Sequence, residues 1–180
     1  PESYQVTTTL SNANSGKTTS LLFKIVPIQL KGAAGNIVST YAFLDEGSSV
    51  TLLSEAIAKD LGFQGKKHPL NLQWIGGKET KIYSANLNVD IKGSQPSLPW
   101  YNVNVHTVPS LDLSSQSVNI KDLVKKYRQL NNIPLSEYQN AEPKLLIGIN
   151  NFLYGTTNYT QIPGDDKIIC TRKQLSTLNN

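Results

Sequence analysis

Short apolar and β-branched runs, separated by turns rich in glycine and polar residues, recur along most of the chain. Two such runs, residues 21–30 and 37–44, are joined by the flexible segment 31–36 and predict a β-hairpin. A second hairpin is predicted from residues 69–75 and 80–91, where apolar and polar positions alternate. The chain is therefore expected to be all-β, with few and short helices.

Further strands are predicted from short apolar runs at 50–53, 100–108, 144–147 and 167–171. Residues 109–118 are rich in turn formers, and residues 134–143 are predicted to form turns or a short helix. No internal repeat accompanies these elements.

Two stretches have helical rather than strand periodicity. Residues 55–61 follow Ser54, a favourable N-cap, and precede Gly62, with Ala56, Ile57 and Leu61 expected on the buried face. Residues 119–130 form the second predicted helix, and its apolar face consists of Ile120, Leu123, Val124 and Tyr127.

The length and composition of the chain exclude several kinds of function. The 180 residues fit one domain, and the single cysteine and two histidines offer neither an internal disulfide nor a metal-ligand set. The formal net charge of +4 is small, and the lysines and arginines are scattered along the chain. Nucleic-acid binding is therefore the least favoured function. No apolar run approaches the roughly 20 residues of a membrane span. We therefore expect an intracellular protein without a cofactor and, because the chain opens on Pro1, a segment of a longer polypeptide.

The stretch 41–53 carries the candidate chemistry. An apolar strand runs into Asp45, Glu46, Gly47 and two serines, and then becomes apolar again. Such a turn presents a carboxylate from a rigid strand, and Gly47 allows the backbone to fold closely around it. Ser48 and backbone N–H groups are expected to hydrogen-bond the Asp45 carboxylate. Taken alone, the same pattern also fits an ordinary turn between two strands.

Two later features favour a functional carboxylate over an ordinary turn. The second hairpin has a Gly-Gly tip next to Trp74, and the apolar strand near residue 146 ends in glycine. An Asp-x-Gly loop, a glycine-tipped hairpin and a late strand ending in Ile-Gly, in that order, resemble the retropepsin-like aspartic proteases. The resemblance extends to the protease domain of BEL/Pao-type LTR retrotransposon polyproteins and covers roughly residues 20–172, through the blocks 43–52, 72–78, 107–117 and 143–148.

This resemblance implies a fold and a set of site residues. The fold would be a closed, barrel-like β core with a hairpin flap over the substrate, and Asp45 would be the catalytic residue. Glu46, Gly47 and Ser48 would form the catalytic loop, and Ile147 and Gly148 would lie behind it. The substrate-binding flap would consist of Trp74, Ile75, Gly76, Gly77 and Lys78.

The resemblance also implies an assembly and a substrate. Catalysis by this class needs two carboxylates that share a proton, and Asp45 is the one Asp-x-Gly aspartate that follows an apolar strand, since Asp60-Leu61-Gly62 lies at the end of the first predicted helix. The site would therefore form in a homodimer, which would process its own gag–pol polyprotein in the cytoplasm or in virus-like particles. The residue between Asp and Gly is usually Thr or Ser, whereas here it is Glu46. A dimerisation or peptide-binding module that has lost turnover remains the alternative.

These expectations divide the chain into three parts. Residues 1–20 would be an N-terminal extension or an edge strand, and residues 173–180 a polar tail. The protease domain would span residues 21–172, with an insertion at about 94–142.

Overall fold

The computed structural model describes residues 24–45, 47–73, 79–94, 96–126, 128 and 137–154, and the backbone of residues 156–161 and 169–174. The elements in these parts of the chain are twelve strands, two α-helices and one 3-10 helix. In chain order they are β1 (Ile25–Lys31), β2 (Ile37–Leu44), β3 (Leu52–Ser54), α1 (Glu55–Asp60), β4 (His68–Gln73), β5 (Glu79–Ser84), β6 (Asn86–Gly93), β7 (Tyr101–Val108), β8 (Gln116–Val118), α2 (Ile120–Lys126), β9 (Tyr138–Ala141), β10 (Pro143–Ile147), the 3-10 helix Ile149–Tyr154, β11 (Thr156–Gln161) and β12 (Ile169–Gln174).

Six strands close into a barrel in the order β1-β2-β10-β3-β7-β6, with β6 pairing back to β1. The β2–β10 and β3–β7 pairs are parallel, and the other four are antiparallel. Alternate residues of these strands fill the barrel with side chains that are almost inaccessible to solvent, among them Ile28, Leu30, Leu53, Val89, Ile91, Val105 and Leu145. The prediction of an all-β fold with a closed core is confirmed.

The first predicted hairpin is present as β1 and β2, in the register that pairs Ile25 with Phe43 and Lys31 with Ile37. Its connection packs tightly on the end of α1, because a Cβ added at Gly32 would lie 2.0 Å from the carbonyl oxygen of Leu61. The start of the predicted strand, residues 21–23, lies outside the described residues.

The first predicted helix is also present, and Gly62 follows it with φ of 80°. Two details of the prediction were wrong. The Ser54 side chain makes no capping hydrogen bond, and Ala56 is exposed whereas Ala58 is buried. A helix of only two turns has one narrow buried face, and Ala58 shares it with the fully buried Leu61.

The predicted strand 80–91 is broken at Ala85. The β5 strand pairs with β4 in a separate two-stranded sheet, whereas β6 belongs to the barrel. The break is held by reciprocal bonds to β7, in which the N–H of Ala85 donates to Thr107 Oγ1 and the N–H of Thr107 donates to the carbonyl of Ala85, both at 2.9 Å. Tyr83 is 68% exposed, although it is in phase with the buried residues Ala85, Val89 and Ile91 in the alternating sequence.

The range 94–142 contains both barrel and peripheral structure. The strand β7 lies in the barrel wall, whereas β8 and β9 pair with each other outside it. The prediction of turns at 116–118 and 138–141 was wrong, because these short strands are too polar to show a strand pattern.

The second predicted helix begins as expected, with Asn119 Oδ1 accepting the N–H of Asp122 at 3.3 Å. Its predicted apolar positions Ile120, Leu123 and Val124 are half-buried, whereas Lys121 and Lys125 are exposed. Tyr127 and residues 129–136 lie outside the described residues.

The last predicted strand, 167–171, is present as β12 but continues to Gln174, and it pairs antiparallel with β11. Residues 167 and 168 lie outside the described residues. The sequence of β11 is almost entirely polar, so no pattern predicted it. Residues 1–23 and 175–180 lie outside the described residues, and the division into extension, domain and tail stays a prediction. Across the described residues, no helix is both long and apolar enough to cross a membrane.

Candidate active site

Asp45 lies at the end of β2, where the strand leaves the barrel. Its N–H donates to the carbonyl of Ile147 at 3.0 Å and so continues the β2–β10 pairing by one residue. The residue is only 8% exposed, and its Oδ1 accepts the N–H of Gly47 at 2.9 Å. A backbone donor thus fixes the orientation of the carboxylate of a largely buried residue.

The hydroxyl of Ser48 donates a hydrogen bond within the loop and not to the Asp45 carboxylate. Its Oγ donates to the carbonyl of Val50 at 2.8 Å, and a hydroxyl has only one hydrogen to give. The prediction that this hydroxyl donates to Asp45 was therefore wrong. The backbone of Ser48 still contacts Asp45, since its N–H donates to the Asp45 carbonyl with an N···O distance of 3.4 Å.

Ser48 and Val50 of the loop that follows Asp45 lie directly on the backbone of Gly148. A Cβ added at Gly148 would lie 2.2 Å from the carbonyl oxygen of Val50 and 2.8 Å from that of Ser48. The next N–H, that of Ile149, donates to the Ser48 carbonyl at 2.7 Å. Only glycine allows this close approach, which explains physically why the late strand ends in glycine.

Thr51 is a buried centre of hydrogen bonding at the end of the same loop. Its Oγ1 accepts the N–H of Gly148 at 3.1 Å and Asn151 Nδ2 at 2.8 Å, and donates to Asn150 Oδ1 at 2.8 Å. The hydroxyl therefore uses its one hydrogen and both lone pairs. Sequence reasoning missed these three side chains; the available signals were a hydroxyl at the start of an apolar run and two asparagines after Gly148.

The predicted flap is described only at its base. Gln73 and Glu79 form the last described pair of the β4–β5 hairpin, and the tip 74–78 lies outside the described residues, as does Glu46. Leu72 of this hairpin is buried in one apolar cluster with Leu52 and Leu146. The hairpin thus packs on β3, which follows the Asp45 loop, and on β10, which pairs with β2.

His106 is a titratable residue of β7 that is bonded to the backbone of Thr51. Its backbone N–H donates to the Thr51 carbonyl at 2.9 Å, and burial lowers the pKa of its imidazole. Within the described ranges, no three His, Cys, Asp or Glu side chains are grouped so that they could hold a metal ion.

Comparisons with known proteins give a distant structural likeness. No protein-family model and no curated protein matches the chain. Among solved structures, the chain is similar to the crystal structure of a retropepsin-like aspartic protease from Rickettsia conorii. The match has 13% sequence identity and a TM-score of 0.37, and it covers 84% of this chain and 93% of that chain.

Proposed function

We propose that this chain is one subunit of a homodimeric aspartic endopeptidase of the retropepsin-like class. The observation that carries the proposal is the placement of Asp45. The residue is 8% exposed, its carboxylate accepts the Gly47 N–H, and its own N–H is bonded to β10. A carboxylate fixed in this way at the end of a barrel strand is suited to general acid–base work.

The chemistry requires a second carboxylate from the partner subunit. The charged carboxylate takes a proton from water as the water attacks the peptide carbonyl, and the protonated carboxyl gives its proton to the carbonyl oxygen. The first carboxyl then gives the proton that it took from water to the leaving amine as the C–N bond breaks, and the second carboxylate regains a proton from a hydroxyl of the tetrahedral intermediate. The second Asp-x-Gly match, Asp60-Leu61-Gly62, lies at the end of α1, where Asp60 is exposed. A symmetric pair of Asp45 side chains would therefore supply both groups. The two pKa values would then belong to the pair.

The position of the β4–β5 hairpin favours a peptide as the substrate. Its base is packed through Leu72 against Leu52 and Leu146, close to the strands that bear Asp45. In the proposal, residues Trp74 to Lys78 at its tip close over an extended peptide. A closing hairpin excludes water from the reaction apart from the attacking molecule.

The finer identity of the substrate rests on sequence. The four blocks at 43–52, 72–78, 107–117 and 143–148 resemble the BEL/Pao-type protease domain. We therefore assign the polyprotein of such a retrotransposon as substrate, and the cytoplasm or virus-like particles as the place of processing.

One sequence feature favours a second candidate function. Glu46 occupies the position at which a short hydroxyl side chain is usual in this class. A longer, ionisable side chain near the two-fold axis would weaken the dimer at neutral pH. The second candidate is therefore a peptide-binding or dimerisation module without turnover.

The test is cleavage of a matching gag–pol segment by the purified domain across a pH series, with Asp45→Asn in parallel. We expect wild-type cleavage with an acidic optimum and its abolition by Asp45→Asn, since an amide cannot hold or give the catalytic proton. Asp112→Asn is the matched control, because this exposed residue has φ of 48°, a conformation that Asn tolerates.

The outcomes separate the candidates. Binding of the segment without cleavage at any pH would favour the module without turnover. Cleavage that survives Asp45→Asn would remove Asp45 from the mechanism.

A further inference from the structure

Asn151 occupies an unusual place beside the Asp45 loop. It is 8% exposed although its side chain is a polar amide, and it belongs to the 3-10 helix that follows Gly148. Its Nδ2 donates two hydrogen bonds of 2.8 Å, one to Thr51 Oγ1 and one to the carbonyl of Asn104 in β7. Both hydrogens of the amide are therefore used within the protein.

The bond to Asn104 fills a position that a strand would otherwise fill. The β3–β7 ladder begins at Leu52 and His106, and the His106 N–H donates to the Thr51 carbonyl. Backbone groups of alternate residues point to the same side of a strand, so Asn104 turns its carbonyl to the side where β3 has not yet begun. The Asn151 amide donates a hydrogen bond to this carbonyl, as the N–H of a strand partner would.

The bond to Thr51 ties the same amide to the loop of Asp45. Thr51 Oγ1 also accepts the N–H of Gly148, the residue on which the loop rests. One buried side chain thus connects the loop, the 3-10 helix and a barrel strand that pairs with neither β2 nor β10.

We propose that Asn151 is a positioning residue, which holds residues 47–51 in the geometry that Asp45 needs by fixing Thr51 to the barrel wall. Asn151 acts through Thr51 and the backbone and does not itself take part in proton transfer. The catalytic part of this inference rests on the function proposed above, whereas the effect on loop order does not.

The test compares Asn151→Ala with the matched control Asn88→Ala in the full chain. Asn88 is an exposed asparagine on the outer face of β6, where it accepts a bond from Asn104 Nδ2. Amide hydrogen exchange is measured for the loop 47–51 and, as an internal reference, for β6. Cleavage of the gag–pol segment is measured in parallel as separate kcat and KM values.

We expect Asn151→Ala to speed exchange in the loop by about tenfold or more while exchange in β6 stays unchanged. The kcat value should fall by about 10- to 100-fold with KM within about twofold, because a small misplacement of a catalytic group affects the chemical step most. Asn88→Ala should change neither quantity. Equal loop exchange and equal kcat in Asn151→Ala and wild type would overturn the proposal.

Two further outcomes are informative. If wild type cleaves nothing, the proposed function fails, and loop exchange alone decides the role of Asn151. If Asn151→Ala does not fold, Asn151→Leu, which leaves no large cavity, takes its place in the same measurements. Failure of both variants to fold would make Asn151 a requirement of the whole fold and would overturn the loop-specific role.

Discussion

Replacement of Gly148 by alanine tests the close contact behind the Asp45 loop. The added Cβ would lie 2.2 Å from the Val50 carbonyl oxygen, 2.6 Å from its carbonyl carbon and 2.8 Å from the Ser48 carbonyl oxygen. Ordinary contact needs about 3.4 Å or more, so the loop must move by about 1 Å. All three neighbours are backbone atoms, and no side-chain rotation can relieve the contact.

The expected costs follow from this displacement. Overpacking costs about 1 to 3 kcal/mol, and we expect the upper end, about 3 kcal/mol, because the backbone must shift. Urea unfolding should show this loss as a lower midpoint with an unchanged slope. The kcat value should fall by about 100-fold, since the displaced loop carries Asp45.

The control for this prediction is Gly35→Ala. Gly35 has φ of 85° and no heavy atom within 4 Å of an added Cβ, so its substitution costs backbone strain alone. That strain is about 1 kcal/mol. A Gly148→Ala variant no less stable than Gly35→Ala, with normal kcat, would refute the argument from close approach.

Three further predictions concern pH and the flap. The folded state lowers the pKa of His106, so the unfolded chain binds the additional proton and the free energy of unfolding should decrease as pH falls below about 6.5. His106→Gln should reduce this decrease in urea titrations at pH 7.5 and 5.5, and an unchanged pH dependence would contradict the assignment. In a symmetric dimer, neighbouring Asp45 and Glu46 carboxylates would raise each other's pKa values, so association should strengthen as pH falls. Ultracentrifugation should show a tighter neutral-pH dimer for Glu46→Thr, and a wild-type dimer equally tight at pH 7 and 5 would refute this argument. Replacing Gly76 and Gly77 together by alanine should lower turnover more than stability, and equal losses of both would make the tip a structural turn.

The barrel could be predicted from sequence because its strands are apolar and regular. The hairpin of β1 and β2 and the strand before Gly148 each bury a repeating set of side chains, and burial produces the pattern. The break at Ala85 could not be predicted in this way. It depends on bonds to Thr107, 22 residues away in sequence, and the apolar alternation continues across it.

The candidate site was predictable to a similar extent. Asp45, Gly47 and Gly148 stand out because a carboxylate between a strand and a glycine, and a glycine at a strand end, are local patterns. The hydrogen bond between Thr51 and Asn151 could not be predicted from the sequence. Their bond joins residues separated by 100 positions, and nothing in the local sequence of either residue identifies the partner.

The central claim is that each subunit contributes one Asp45 to a shared site, and subunit mixing tests it most directly. Wild type and Asp45→Asn are mixed in equal amounts, under acidic conditions and at a concentration where light scattering shows dimers. If a heterodimer with one Asp45 is inactive, random exchange leaves about half of the wild-type chains in active dimers, so activity per wild-type chain should fall to about one half. Mixing with Asp112→Asn, which keeps Asp45, should cause no loss of activity per chain. Unchanged activity per wild-type chain in the Asp45→Asn mixture, with subunit exchange verified, would contradict the shared site and the account built on it.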